Sequence, residues 1–281
     1  MGDKEAKALS LAFRAKMLWA DFSATNPAMH ASSTSYFTFM SSVPVLVICI
    51  SLVSLTGLGE SEVCEALLAI VPEAFNSLVR TLVSEAFKHS GVAFSLSTIT
   101  LLWTASKGAK SLRAGLNDAY GEEESRNIVV VTIISIVAIV VLGLLFAVAI
   151  YLMFGDSVMH ALAKSIPEFK DKGAITGVFN TSITLLLATI TLALCYTYLP
   201  DGRRSPIAQL PGAACAIAAC GALSFGFRVY VEHFSNYTVL YGSMATVVLF
   251  LFWMYLVFYI FIVGAFINRC LTKSDKGRNS Q

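Results

Sequence analysis

The chain has 281 residues, 56% of them hydrophobic and only 14% charged, with a mean hydropathy of +0.72. A soluble domain is typically about 45–50% apolar and about 25% charged, so this chain lacks the charge to cover its own surface in water. A formal net charge of +2 gives no bulk attraction for nucleic acid. The expectation is an all-α, polytopic membrane protein.

From the N-terminus, residues 1–27 carry scattered charges with no unbroken apolar core ahead of a small-residue cleavage site, so no cleaved signal peptide is expected. Lys7, Arg14 and Asp21 recur on one helical stripe and Leu9, Phe13 and Met17 on another. That pattern fits an amphipathic helix at the membrane surface and equally a solvated leader helix. A membrane span needs about 20 apolar residues, and Tyr36 to Leu58, Ile128 to Phe154, Thr176 to Leu199 and Leu240 to Ile267 satisfy this. Ile207 to Tyr230 is less apolar. Its Gly212, Ala213, Ala216, Ala219, Gly221, Ala222 and Gly226 suit it to close packing among other helices.

Val92 to Leu116 is ambiguous by hydropathy, because Lys107, Lys110 and Arg113 begin after about three-quarters of a span. The positive-inside rule decides it. With this span counted, Lys4, Lys7, Arg14, Lys16, Lys107, Lys110, Arg113, Arg126, Arg203, Arg204, Arg269, Lys273, Lys276 and Arg278 share the cytoplasmic side. Only Arg80, Lys88, Lys164, Lys170, Lys172 and Arg228 remain outside. Without it, the majority moves outside. The expectation is therefore a six-helix bundle with both termini cytoplasmic, and with Lys107, Lys110 and Arg113 snorkelling to the interface. Its divisions are a cytoplasmic segment 1–27, a membrane domain 28–268 and a basic tail 269–281.

The outer connection Gly59 to Gly91 has helical apolar spacing broken by Pro72, which predicts two short amphipathic helices. The connection Gly155 to Gly173 extends the same rim. Cys49, Cys195, Cys215 and Cys220 fall in apolar runs, Cys270 just beyond one, and Cys64 in the outer loop, so no disulfide is expected.

One side of the first span is polar: His30, Ser33, Thr34, Thr38 and Ser41 recur at three- and four-residue spacing ahead of the mid-span Pro44. Either a polar path runs there or the hydroxyls bond their own i−4 carbonyls. Arg228 and Glu232, one turn apart at the outer end of the fifth span, are spaced for an ion pair that anchors the interface. Tyr241 and Gly242 mark the entry to the sixth span, which carries Trp253. The four histidines are isolated, and metal, phosphate-cradling and nucleophile-elbow motifs are absent. No enzyme activity, metal or cofactor is expected, and the acidic turn Gly121 to Ser125 reads as a solvated loop.

Several segments resemble the BrkB/YihY family of bacterial inner-membrane proteins, a family that once carried the name ribonuclease BN. They are HASSTSYFTFMSSVPVLV, LLWTASKGAKSLRAGLNDAYG, YLPDGRR, PGAACAIAAC and the stretch from Asn236 to Asn268. The resemblance implies a multi-pass protein of the inner (plasma) membrane, in a family tied to transport and envelope maintenance. The kinked first span, the small-residue fifth span and the Tyr-Gly entry of the sixth are expected to surround a cavity, with His30, Ser33, Thr34, Tyr36, Thr38, Ser41, Pro44, Trp103, Asn117, Tyr241 and Gly242 as the candidate cavity or substrate-path residues. Ser and Thr replace much of the Ala usual after His30. Metal-dependent RNA hydrolysis needs clustered His and Asp ligands and a basic face, which this sequence lacks. The function expected is transport or export of a lipid or other amphipathic envelope molecule, with the bilayer as partner and no nucleic acid. The alternative is a scaffold for envelope partners, and homo-oligomerisation is left open.

Overall fold

The computed structural model describes residues 16–17, 20–54, 59–68, 76–88, 90–127, 129–131, 133–134, 173–202, 204–233 and 243–278. Their regular structure is helical throughout: α1 (Pro27–Ser54), α2 (Glu60–Leu68), α3 (Asn76–Lys88), α4 (Ser90–Tyr120), α5 (Gly173–Tyr198), α6 (Pro206–His233) and α7 (Ser243–Arg278). Within α6 and α7, Pro206–Phe227 and Val247–Thr272 are long and apolar enough to cross a membrane, and Ser182–Tyr198 is a shorter apolar helix. Most of the predicted span 128–154 and of the connection 155–173 lies outside the described residues.

Local chemistry sets the helix ends. A short helical turn closes where Asn26 adopts φ 47°, with Thr25 N and Asn26 N donating to Phe22 O and Ser23 O. Asn tolerates that left-handed geometry, and Pro27 follows at a first helical position, where its missing N–H costs nothing. At the end of α4, Gly121 has φ +73°, Gly121 N donates to Asp118 O at 3.0 Å, and Glu122 N donates to Asn117 O at 2.9 Å. This paired closure requires the left-handed residue that glycine supplies. Pro200 follows α5 and stops it; Pro206 opens α6.

The predicted doubtful span is one continuous helix of 31 residues, about 46 Å long at 1.5 Å per residue. Two short helices, α2 and α3, flank Pro72 as the sequence predicts. They pack on each other and bury Val63, Val79 and Val83 with Ile50 of α1, while Val47, Cys64, Leu82 and Phe87 cover the cluster.

The chain divides into two compact units. One comprises residues 1–28, 113–221 and 259–281; the other comprises 29–112 and 222–258. The first unit is built on close helix approach. A Cβ on Gly212 would overlap Gly264 O, and one on Gly264 would overlap the Tyr196 hydroxyl and come within 2.9 Å of Ala216 Cβ. Tyr196 is fully buried and donates to Phe261 O at 2.6 Å, and Phe22 meets Tyr259 and Phe266 edge-on. Only part of the small-residue face of α6 is used this way. Gly212, Ala213 and Ala216 are buried, whereas Ala219 and Ala222 are exposed and a Cβ at Gly221 or Gly226 meets nothing within 4 Å among the described residues.

Candidate functional site

In the second unit, α1 and α4 run antiparallel in a register fixed at three levels. Ser111 Oγ donates to His30 O at 3.2 Å, a Cβ on Gly108 would lie 3.3 Å from Phe37 Cβ, and Ser41 Oγ is 3.0 Å from Thr104 Oγ1. The hydroxyls of α1 turn back on their own helix. Thr34 donates to His30 O, Thr38 to Thr34 O and Ser41 to Phe37 O, each at 2.7 Å. Thr100 and Thr104 of α4 do the same toward Leu96 O and Thr100 O. Threonines that satisfy the preceding turn have less polarity to offer the space between the helices.

That space is a cleft of about 540 Å³ lined by Tyr36, Phe37, Phe39, Met40, Val43 and Pro44 of α1 and by Leu96, Ser97, Thr100, Trp103 and Thr104 of α4. Its size falls within the roughly 300–1,000 Å³ of small-molecule sites. The Trp103 side chain meets Phe37 edge-on at 6.5 Å and is 61% exposed; Tyr36 is 51% exposed. Pro44 is buried in a continuous helix and cannot donate to Met40 O, which leaves that carbonyl beside the cleft without its usual helical partner.

Of the sequence-predicted residues, Tyr36, Pro44 and Trp103 therefore share one cleft, and Ser41 touches its wall through Thr104. His30 and Thr34 are buried, and Ser33 and Thr38 are half-buried. Tyr241 and Gly242 lie outside the described residues, as do the side chains of Arg228 and Glu232, whose backbone belongs to α6. Sequence reasoning missed the apolar wall. Its signal was present: Tyr36, Met40 and Val43 fall on one stripe at i, i+4 and i+7.

Asn117 belongs to a second arrangement, a polar junction in the first unit. Arg113 is 1% exposed, and its Nη2 and Nε reach Glu124 Oε1 and Oε2 at 2.8 and 2.7 Å. Asn117 Nδ2 donates to Glu124 Oε2 at 3.1 Å, and its Oδ1 accepts from Asp201 N at 2.7 Å. Asp201 in turn takes the Ser125 amide and hydroxyl and pairs with Arg126 Nε at 3.1 Å. The hydrogen bonds from the Ser125 hydroxyl and amide, with lesser help from the Gly202 amide and Arg126, hold the Asp201 carboxyl well below the usual carboxylate range.

Arg204 pairs with Glu122 at 3.0 Å and covers the Tyr120 ring at 4.0 Å, while the Tyr120 hydroxyl donates to Gln209 Oε1. Burial pushes the Tyr120 phenol up to about 12, against the lowering effects of Asn268 and Arg204, so it stays a neutral donor. Asn268, fully buried, spends both ends of its amide on α6: Gly212 N donates to Oδ1 at 2.8 Å and Nδ2 donates to Gln209 O at 3.0 Å. Two expectations are corrected here. Arg113 does not snorkel but is enclosed against Glu124, with Nη2 hydrogen-bonded to it and Nη1 without a hydrogen-bond partner among the described residues. Gly121 to Ser125 is not a merely solvated loop, because Glu122, Glu124 and Ser125 each tie it to another segment.

The junction ties the end of α4, the turn that follows it and the turn after α5 to one another. Among the described residues no group of three or more His, Cys, Asp or Glu could hold a metal ion.

A family model described as virulence factor BrkB matches residues 18–281. The ribonuclease-like protein YfkH of Bacillus subtilis is 26% identical over 248 residues, 88% of this chain and 90% of the relative. A UPF0761 membrane protein of Pseudoalteromonas translucida is 29% identical over 124 residues, a match spanning 43% of this chain and 41% of that protein. Another from Aeromonas salmonicida is 20% identical over 273 residues, covering 93% and 90% of the two. No solved structure matches.

Proposed function

From the premise that the chain belongs to the virulence factor BrkB family and is a membrane protein, we propose that it transports a lipid or other amphipathic envelope molecule along the α1–α4 cleft. In this reading it is a six-span protein of the bacterial inner membrane with both termini cytoplasmic. The lysine and arginine distribution supports that orientation.

One observation carries the transport reading: the cleft has a mainly apolar lining. Thr100 and Thr104 spend their hydroxyls on their own helix, and Trp103 and Tyr36 in the lining are exposed. Such a surface suits a molecule with a long apolar part and a polar end, because Trp and Tyr favour the boundary between hydrocarbon and head group. Nothing in the residues supports RNA hydrolysis, so the ribonuclease-like name of the B. subtilis relative is not carried over.

The test is flux of fluorescent phospholipid across reconstituted vesicles. The protein should raise transbilayer movement above protein-free vesicles, and Val43→Trp, which fills the cleft, should return it to that baseline. Flux indistinguishable from protein-free vesicles would defeat the reading.

A further inference from the structure

Along α4, Lys107 lies one turn beyond Trp103, and at 100° per residue it falls on the cleft-facing stripe defined by Leu96, Thr100 and Trp103. Lys110 follows one turn later. Neither lysine has an ion-pair partner among the described residues. The sequence of α1 holds no Asp, Glu, Lys or Arg, and the other cation of α4, Arg113, is already matched by Glu124. The antiparallel register brings the N-terminal turns of α1, with the half-buried Ser33 next to Tyr36 on the cleft stripe, to the lysine end. The acidic residues of α2 and α3 belong to the opposite end, where Ile50 packs on those helices. The cleft thus has an apolar length, an aromatic collar and, at one end, two lysines that form no ion pair among the described residues, the acidic residues of that end of α4 being Asp118 and the Glu122–Glu124 turn beyond it.

Its dimensions select the occupant. From Leu96 to Lys107 is about 16 Å at 1.5 Å per residue, close to half of a hydrocarbon core of roughly 30 Å. One leaflet, and not the full bilayer, matches the distance from apolar end to charge.

We infer that the α1–α4 cleft is a binding site for one acidic glycerophospholipid of the leaflet on the lysine side, with an acyl chain along Met40, Val43 and Leu96 and the phosphate at Lys107 and Lys110. The inference rests on the membrane reading of these two helices given above, but not on transport: a lipid held there without being moved meets it equally.

The experiment uses the full chain in nanodiscs of equimolar phosphatidylglycerol and phosphatidylcholine, with retained lipid counted by native mass spectrometry after detergent release. Phosphatidylglycerol should be retained preferentially. The double substitution Lys107→Gln with Lys110→Gln should lower that preference about fivefold per lysine, while Lys107→Arg with Lys110→Arg keeps it and shows that the fold survives substitution there. Met40→Trp should lower retention of both lipids. Equal retention of the two lipids by the unaltered protein, or an unchanged preference in the double glutamine variant, would overturn the site. Flux at the protein-free level with selective retention intact would remove the transport reading and leave this inference standing.

Discussion

The two units place their polar groups differently. In the unit of residues 1–28, 113–221 and 259–281, polar side chains reach between segments: Asn117 joins Glu124 to Asp201, and Asn268 joins α7 to α6. In the unit of residues 29–112 and 222–258, Thr34, Thr38, Thr100 and Thr104 each bond the turn behind them. Polar side chains that bond across segments specify one arrangement of those segments. In the second unit Ser111 and Ser41 set the register of α1 against α4, while the threonines spent on their own turns leave a surface that apolar molecules can occupy. The difference separates a lock from a groove.

The sharpest way to break this contrast is to add a side chain where backbones touch. Gly264→Leu should prevent assembly of the first unit, because even a Cβ there overlaps the Tyr196 hydroxyl, and Gly264→Ala should cost at least about 2 kcal/mol by overpacking. Gly221→Ala, with open space around it, should be neutral or stabilising by up to about 1 kcal/mol. Denaturant titration in detergent micelles, followed by helical circular dichroism, reads all three. Equal effects at Gly264 and Gly221 would erase the distinction between contact and open faces.

Next in size is Glu124→Gln, which leaves the enclosed Arg113 guanidinium with a neutral partner. Removing one member of a buried pair costs about 3–5 kcal/mol, and because Glu124 is 34% exposed the loss expected is nearer about 2 kcal/mol. The matched substitutions on the other side, Thr100→Val and Thr38→Val, should change stability by no more than about 0.5 kcal/mol, since each removes only a bond within one helix. A large loss at Thr38 would mean its hydroxyl serves more than its own turn.

The smallest effect is a pH dependence. The folded state depresses the Asp201 pKa, so its contribution is fully present above the unfolded value of about 3.9 and is lost as pH falls below it. The stability gap between the unaltered protein and Asp201→Asn should therefore be flat from about pH 8 to pH 5 and narrow below about pH 4. Melting curves across that range check it, and a gap that widens on acidification would reverse the sign assigned here.

Much of the helical order was legible because apolar runs, Pro27, Gly121 and the break at Pro72 are local signals. The cleft was legible in part. Tyr36, Pro44 and Trp103 were found by pattern and resemblance, yet the polar face of α1 drew the eye to hydroxyls that the structure spends on the helix itself. Arg113 was misread because three cations at i, i+3 and i+6 look alike in sequence. Its partner Glu124 comes eleven residues later, after the chain has reversed at Gly121, and no local pattern records that meeting. Small residues on α6 were visible, but where contact stops depends on Gly264 and Asn268 of a distant helix.

The most direct measurement returns single cysteines, in a cysteine-free background, at Tyr36, Met40 and Val43 on the cleft and at Thr34, Thr38 and Ser41 on the inward face. Each is then exposed to a lipid-soluble and to a water-soluble maleimide in vesicles. Cleft positions should react with the lipid-soluble reagent alone, and inward positions with neither. Water-phase labelling of residues 34, 38 and 41 would contradict this, since it would place an aqueous path along a helix face whose hydroxyls bond their own turns and would move the functional site away from the groove.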